Sequence, residues 1–214
     1  ASKTIAIVLA AGRGTRAGGT QPKQWQILLG KPLLAWSVEA FMSHDDIDGV
    51  VVVHHPEDQD LISQVPAAAR CVEGGANRDN SVRCALEALK DQAPDYVLIH
   101  DAARPCLTQS LISSCIEAMR SHGAAAPAVA VQDTLWRCGD TVEATVDRSG
   151  LWRAQTPQCF SYPLICAAHA AATAQATDDV QVVRAMGHSV AIVAGDADNL
   201  KVTVPDDFGR AERI

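Results

Sequence analysis

The run Thr4 to Leu9 is apolar and rich in β-branched residues, and it ends abruptly in Ala10-Ala11-Gly12-Arg13-Gly14-Thr15-Arg16. The run reads as a buried strand. The small residues and glycines after it let the backbone approach a ligand closely and aim successive N–H groups into one concavity. Gly18-Gly19 and Pro22-Lys23-Gln24 carry the loop on to Trp25. Arg13, Arg16 and Lys23 set three cations in it, which suits a polyphosphate: the cations offset charge and the amides fix position. An ordinary flexible strand-to-helix loop is the plainer alternative, and three cations in an acidic chain weigh against it. The loop is not a P-loop, since no Gly-Lys-Ser/Thr follows at the required spacing. It also misses the dinucleotide fingerprint, because Ala17 stands where the third glycine belongs.

The chain has 214 residues, 48% of them hydrophobic and 20% charged, and fits one α/β domain over residues 1–214. Its net charge of −7 supplies no basic field to recruit nucleic acid or an anionic membrane. Any polyanion must therefore be held by locally clustered cations. The seven cysteines are scattered and form no C-x-x-C pair, which points to buried thiols in a reducing cytoplasm. We read no secretory signal and no long apolar span.

Further along, Leu33 to Met42 shows a helical period after Lys31-Pro32, and Gly49 to Val53 reads as a second buried strand. His54 and His55 follow it. Neighbouring strand residues point to opposite faces, so the two cannot easily share a metal and we take them as non-catalytic. Pro56 to Val65 reads as a short helix and Arg70 to Val72 as a short strand. Gly74-Gly75 then forms a turn before a helix from about Arg78, where Ser81 and exposed N–H groups suit either a phosphate or simple capping. Asp95 to Ile99 is a strand that leads into His100-Asp101-Ala102-Ala103-Arg104-Pro105. An acid there sits where open α/β sheets bind ligands, and it suits Mg²⁺, a ribose hydroxyl or a turn-stabilising pair with Arg104. Gln109 to His122 reads as a helix and Ala124 to Val131 as a strand. Thr134–Cys138 and Thr141–Val146 read as a hairpin turning at Gly139-Asp140, an arm over about 133–148. Tyr162 to Thr173 is helical, and Thr177-Asp178-Asp179 caps another helix. Ser189 to Val193 reads as the last long strand, and Pro205 starts a closing helix.

Leu9-Ala10-Ala11-Gly12-x-Gly14-x-Arg16 followed by Pro22-Lys23-Gln24 resembles the signature of sugar-phosphate nucleotidyltransferases. Within them the chain is most similar to the 2-C-methyl-D-erythritol 4-phosphate cytidylyltransferase family of the non-mevalonate isoprenoid pathway. Gly74-Gly75-x-x-Arg78-x-x-Ser81, the His100 to Pro105 stretch and Ala197 to Thr203 extend the likeness nearly to the C-terminus. Ala76 departs from relatives with an acid there and is given no role. The resemblance implies transfer of CMP from CTP to 2-C-methyl-D-erythritol 4-phosphate, with Mg²⁺ as cofactor. It implies a three-layer, mostly parallel Rossmann-like α/β sheet and a protruding β-arm that clasps a second copy in a homodimer. The catalytic set would be Arg16, Lys23 and Lys201. The nucleotide contacts would be Ala10, Ala11, Gly12, Gly14, Gly75, Arg78, Ser81, Asp101 and Ala102, with Asp101 also near the metal. The acceptor contacts would be Arg104, Thr134, Arg148, Thr177 and Asp178. Capping alone would also explain Thr177 and Asp178, and for Arg148 the alternative is a pair with Asp147, which weighs less than the acceptor contact. The likeness leaves room for fusion to another enzyme of the pathway. Competing readings are a cytidylyltransferase for another polyol phosphate, such as ribitol 5-phosphate, and a non-catalytic nucleotide-binding regulator.

Overall fold

The structure is a computed structural model and describes residues 2–14 and 21–214. In chain order, β1 (Thr4–Ala10) leads through a 3-10 helix at Lys23–Trp25 to the short pair β2 (Ile27–Leu28) and β3 (Lys31–Pro32). Then come α1 (Leu33–Met42), β4 (Gly49–His54), a 3-10 helix at Pro56–Gln64, β5 (Arg70–Glu73) and α2 (Arg78–Ala88). These are followed by β6 (Tyr96–Asp101), α3 (Gln109–His122), β7 (Ala124–Ala130), β8 (Leu135–Cys138) and β9 (Val142–Val146). The chain closes with β10 (Trp152–Ala154), β11 (Gln158–Ser161), α4 (Tyr162–Ala171), α5 (Asp179–Ala185), β12 (Ala191–Ala194) and α6 (Asp206–Ala211).

Strand β1 sits inside the sheet, parallel to β4 on one edge and to β6 on the other, and β5 extends the β4 side in parallel. Alternation along β1 divides the core. Ala6 and Val8 join Leu34, Val38, Phe41, Ile112 and Met119, so α1 and α3 cover one face. Ile5 and Ile7 join Val82, Leu86, Ile165 and Val183, so α2, α4 and α5 cover the other. The expected three-layer arrangement is what this partition gives. Each large apolar side chain fully buried here contributes about 1.5–3 kcal/mol relative to exposure.

The sheet is mixed on the β6 side. Strand β11 lies between β6 and β7 and runs antiparallel to both. Strand β10 pairs antiparallel with the later part of β7, so β10 and β11 are successive stretches of one edge partner, interrupted at residues 155–157. Ala125 pairs with both Cys159 and Ala191, which puts β12 on the opposite edge of β7. Sequence reading returns the chain to the sheet near Gln158 without foreseeing this antiparallel insertion. It also stops strands early: β1 includes Ala10, β4 includes His54, β5 includes Glu73, and β6 runs through His100 and Asp101 because pairing with β1 continues to Leu9. The last strand begins later than expected, at Ala191. The arm is present as the antiparallel pair β8–β9, with a register shift between Arg137 and Cys138.

Phe160 on β11 is fully buried in the cluster of Val97 and Ile165. Phe160→Ala should therefore lower the unfolding free energy by about 3–5 kcal/mol. Urea denaturation checks this as a lower midpoint at unchanged slope, and a loss below about 1 kcal/mol would contradict the central place of β11.

Candidate functional site

The sheet order reverses at β1, since the chain builds outward to β4 and β5 and then returns to its other edge with β6. Open α/β sheets bind ligands at the carboxyl ends of strands around such a reversal. A cavity of about 440 Å³ opens there. Its walls come from the end of β1 (Leu9 to Gly14), from Lys23 and Gln24, from Gly75 to Arg78 with Ser81, from Asp101 to Ala103, and from Lys201.

Two side chains hold the β1 loop in shape. Gln24 is buried, and its Nε2 donates to the carbonyl oxygens of Ala10 (2.7 Å) and Gly12 (2.8 Å). Asp58 is also buried. Its Oδ1 accepts from Arg13 Nη1 at 2.7 Å and its Oδ2 from Trp25 Nε1 at 3.0 Å, while Glu57 takes the other arm of Arg13. Arg13 is thus engaged by carboxylates of the Pro56–Gln64 helix, which corrects its place among the polyphosphate cations. Arg16, Gly18 and Gly19 lie outside the described residues.

The neighbouring wall depends on two glycines. A Cβ on Gly74 would come 2.8 Å from Ser81 Oγ and 2.9 Å from Ala11 Cβ, and one on Gly75 would come 2.4 Å from Asn80 Cβ. Only glycine lets the start of α2 pack this closely against the β1 loop. Asn77 caps α2 by accepting from Asn80 N, and Ser81 Oγ accepts from Gly75 N at 3.2 Å. The hydroxyl therefore already serves the turn.

Asp101 is the carboxylate of the cavity wall. Its Oδ2 accepts from Lys201 Nζ at 2.8 Å, and its Oδ1 lies 3.7 Å from Arg78 Nε. Burial pushes this carboxyl up, but Lys201 and Arg78 outweigh burial and hold it at about 2. Arg104 does not pair with it as an ion pair in the turn. Its guanidinium donates to the carbonyl oxygens of Asn199 (2.7 Å) and Ala154 (3.3 Å), stapling β10 to the segment before Lys201.

Behind Asp101 lies a buried polar row. The Arg104 carbonyl can only accept, so His100 Nε2 at 3.0 Å carries the proton and Nδ1 accepts from Thr156 Oγ1 at 2.8 Å. Thr156 Oγ1 in turn accepts from Asp101 N at 3.1 Å. Burial pushes the His100 imidazole down to about 4, which keeps it neutral near pH 7.

The cavity gathers Ala10, Ala11, Gly12, Gly14, Lys23, Gly75, Arg78, Ser81, Asp101, Ala102 and Lys201 from the sequence-derived set. Arg104, Thr134, Arg148, Thr177 and Asp178 are not among the residues lining it. Thr134 and Arg148 are exposed at the foot of the arm. Asp178 caps α5 through Gln181 N (2.9 Å) and also accepts from Gln158 Nε2 (3.1 Å), while Thr177 Oγ1 donates to Gln181 Oε1. Sequence reasoning missed Gln24 as the brace of the loop and His55 as part of the wall, although the Pro22-Lys23-Gln24 signature already contained the glutamine. Among the described residues no group of three or more His, Cys, Asp or Glu side chains could hold a metal ion.

A family model described as IspD: 2-C-methyl-D-erythritol 4-phosphate cytidylyltransferase matches residues 4–214. A protein of Cereibacter sphaeroides (strain KD131 / KCTC 12085) named 2-C-methyl-D-erythritol 4-phosphate cytidylyltransferase is 53% identical over 216 residues, which cover 99% of this chain and 96% of that one. A Rhodospirillum rubrum protein named Bifunctional enzyme IspD/IspF is 50% identical over 222 residues, covering 100% of this chain and 57% of the relative. The crystal structure of a 4-diphosphocytidyl-2C-methyl-D-erythritol synthase is similar at a TM-score of 0.88 and 35% identity, covering 100% of this chain and 98% of its own.

The buried imidazole makes the fold acid-sensitive in a defined window. Unfolded, His100 takes up a proton near pH 6.5, and folded only near pH 4. Between these values the unfolded chain binds more protons, so stability falls as pH falls. Asp101, held at about 2 against 3.8 when unfolded, adds a second loss below pH 3.8. Urea midpoints measured across pH should fall less steeply between pH 6.5 and 4 for His100→Gln than for the parent chain. Identical profiles would remove His100 as the source.

Proposed function

We infer that this chain, which belongs to the 2-C-methyl-D-erythritol 4-phosphate cytidylyltransferase family, transfers CMP from CTP to 2-C-methyl-D-erythritol 4-phosphate and releases pyrophosphate in isoprenoid biosynthesis. The observation that carries this reading is the family match over residues 4–214, together with the gathering of Lys23, Asp101 and Lys201 on one backbone-lined cavity. The Rhodospirillum rubrum relative is bifunctional, and we take this chain as the cytidylyltransferase unit in whatever polypeptide carries it.

In the reaction an acceptor phosphate oxygen attacks the α-phosphorus of CTP. A phosphorus–oxygen bond forms there, and the bond to the departing pyrophosphate oxygen breaks. A phosphate monoester is largely ionised at neutral pH, so no strong general base is needed. The demand on the protein is to bring anions together and to stabilise charge as it moves onto the leaving group. We assign that role to Lys23 and Lys201, with Arg16 as a third cation. The stem of Lys23 lies against Gly14, where an added Cβ would come 3.1 Å from Lys23 Cε, so the loop and the lysine are shaped together. Backbone at Ala10 to Gly14, with Gly75, Arg78, Ser81, Asp101 and Ala102, would receive the nucleotide.

Asp101 is the residue that would hold Mg²⁺. A single carboxylate suits this ion, which takes most of its shell from phosphate oxygens and water. When bound, Mg²⁺ neutralises phosphate charge. For the acceptor we propose Arg148 and Thr134 supplied by a second copy of the chain. Arg104, Thr177 and Asp178, expected at the acceptor, do not line the cavity, and their bonds within the chain hold the neighbouring loops. An isolated two-stranded ribbon is marginal in water, and this one leaves Trp136 62% and Val142 54% exposed, which supports an arm that packs on a partner. Only Cys115 and Cys159 of the seven unpaired cysteines are buried, and Cys138 is exposed, which corrects the expectation of buried thiols; the cytoplasmic location remains our proposal. Among the described residues no helix is long and apolar enough to cross a membrane.

Pyrophosphate release measured with each nucleoside triphosphate in the presence of 2-C-methyl-D-erythritol 4-phosphate should be specific to CTP. Equal release with another triphosphate would overturn the cytidylyl assignment. Lys23→Ala should lower turnover by roughly two to three orders of magnitude while changing CTP affinity far less, because a preorganised cation acts most as charge develops. Turnover within a few-fold of the parent would take Lys23 off the catalytic list. Inactive Arg148→Ala mixed with inactive Lys23→Ala should recover activity after subunit exchange, since one site of each heterodimer then has both residues. No recovery after verified exchange would count against the shared site.

A further inference from the structure

Asp179 at the start of α5 is fully buried, and its two oxygens have different partners. Oδ1 lies 3.0 Å from Nε2 of His169, and Oδ2 lies 2.8 Å from Nη1 of Arg78. Arg78 continues the row toward the cavity, with Nε 3.7 Å from Asp101, which Lys201 holds from its other side. Imidazole, carboxylate, guanidinium, carboxylate and ammonium thus follow one another from α4 to the nucleotide wall. The Arg78–Asp179 contact has the distance of an ion pair without the angle of a hydrogen bond. Charge therefore draws the guanidinium to the carboxylate, and the hydrogen bond from His169 fixes where the carboxylate stands. His169 is only 3% exposed, so water does not compete for that bond.

A buried ion pair is a poor device for stabilising a fold, because desolvation offsets most of its attraction. Fixing the position of a group is what it does well. Without Asp179, the carboxylate closest to Arg78 would be Asp101. The guanidinium would close the 3.7 Å gap and compete with Lys201 for the same carboxylate. We propose that Asp179 and His169 are positioning residues of the nucleotide site: His169 orients Asp179, and Asp179 holds Arg78 back from Asp101, so that the two wall cations keep separate places. Neither residue touches the cavity; both act through Arg78. The inference rests on the cytidylyl-transfer reading of that cavity.

The test uses the whole chain, with calorimetric titration of CTP and steady-state kinetics in each substrate. His169→Leu removes the donor, and His169→Gln returns an amide N–H to it. His169→Leu should weaken CTP binding and raise the Michaelis constant for CTP by about tenfold, with that for 2-C-methyl-D-erythritol 4-phosphate changing less than about twofold. His169→Gln should recover most of the loss. In an Arg78→Ala background His169→Leu should change CTP affinity by less than about twofold, since the residue it acts through is gone. Asp179→Asn keeps the size and removes the charge, and should show the same CTP-selective loss if His169→Leu folds poorly. A purely structural role would lower urea midpoints and leave CTP affinity of the folded protein intact. Unchanged CTP affinity in His169→Leu or in Asp179→Asn would overturn the proposal, as would an equal loss with and without Arg78. Failure of the parent chain to bind CTP would instead end the cytidylyl reading itself.

Discussion

A strand with no polar face has to be covered twice, and the covering of β1 places the rest of the molecule. Ala6 and Val8 need α1 and α3, while Ile5 and Ile7 need α2, α4 and α5. With both faces closed and both edges paired, the free end of β1 is where its chain meets solvent. The ends of β1 and β6 and the loop after β5 meet at that point. The cavity is thus a result of how the core is partitioned, and the glycines at 74 and 75 let α2 close its side.

Charge near the cavity is arranged against a cost. Asp101 and Asp179 are carboxylates in poorly solvated places, and Arg78 and Lys201 balance them one for one. An anionic ligand entering a neutralised wall gains less from bulk attraction than from directed donors, which favours geometry over field strength. The acidic chain as a whole, at −7, gives the same emphasis. His100, neutral and fully buried, adds hydrogen bonds behind this wall without adding charge.

Features set by neighbouring residues were legible before the structure: the β1 strand and its loop, the helix over Gln109–His122, the arm hairpin and the acid at the end of β6. Those that depend on distant partners were not. Gln158 to Ser161 is too short to show a period, and its antiparallel place between β6 and β7 depends on two other strands. Arg13 looked like a phosphate cation because its loop is cationic, yet its partners Asp58 and Glu57 arrive from another element. Ser81 and Asp178 were open between ligand and cap; the Ser81 hydroxyl accepts from Gly75 N in the turn before α2, while Asp178 caps α5 through Gln181 N. Arg104 resembled a site residue by motif, but its guanidinium reaches carbonyls far along the chain.

The carboxylate of Asp58 takes hold of the β1 loop at both ends, at Arg13 and at Trp25. In polymer terms it turns an open segment into a closed ring, and ring closure removes conformational freedom whenever it occurs. Here the closure is made during folding by a buried group that never needs to meet a ligand. The entropy of bringing the two ends together is therefore lost before any substrate arrives. A nucleotide binding to such a ring keeps more of its interaction energy as affinity, because less ordering of the loop ends remains to be done.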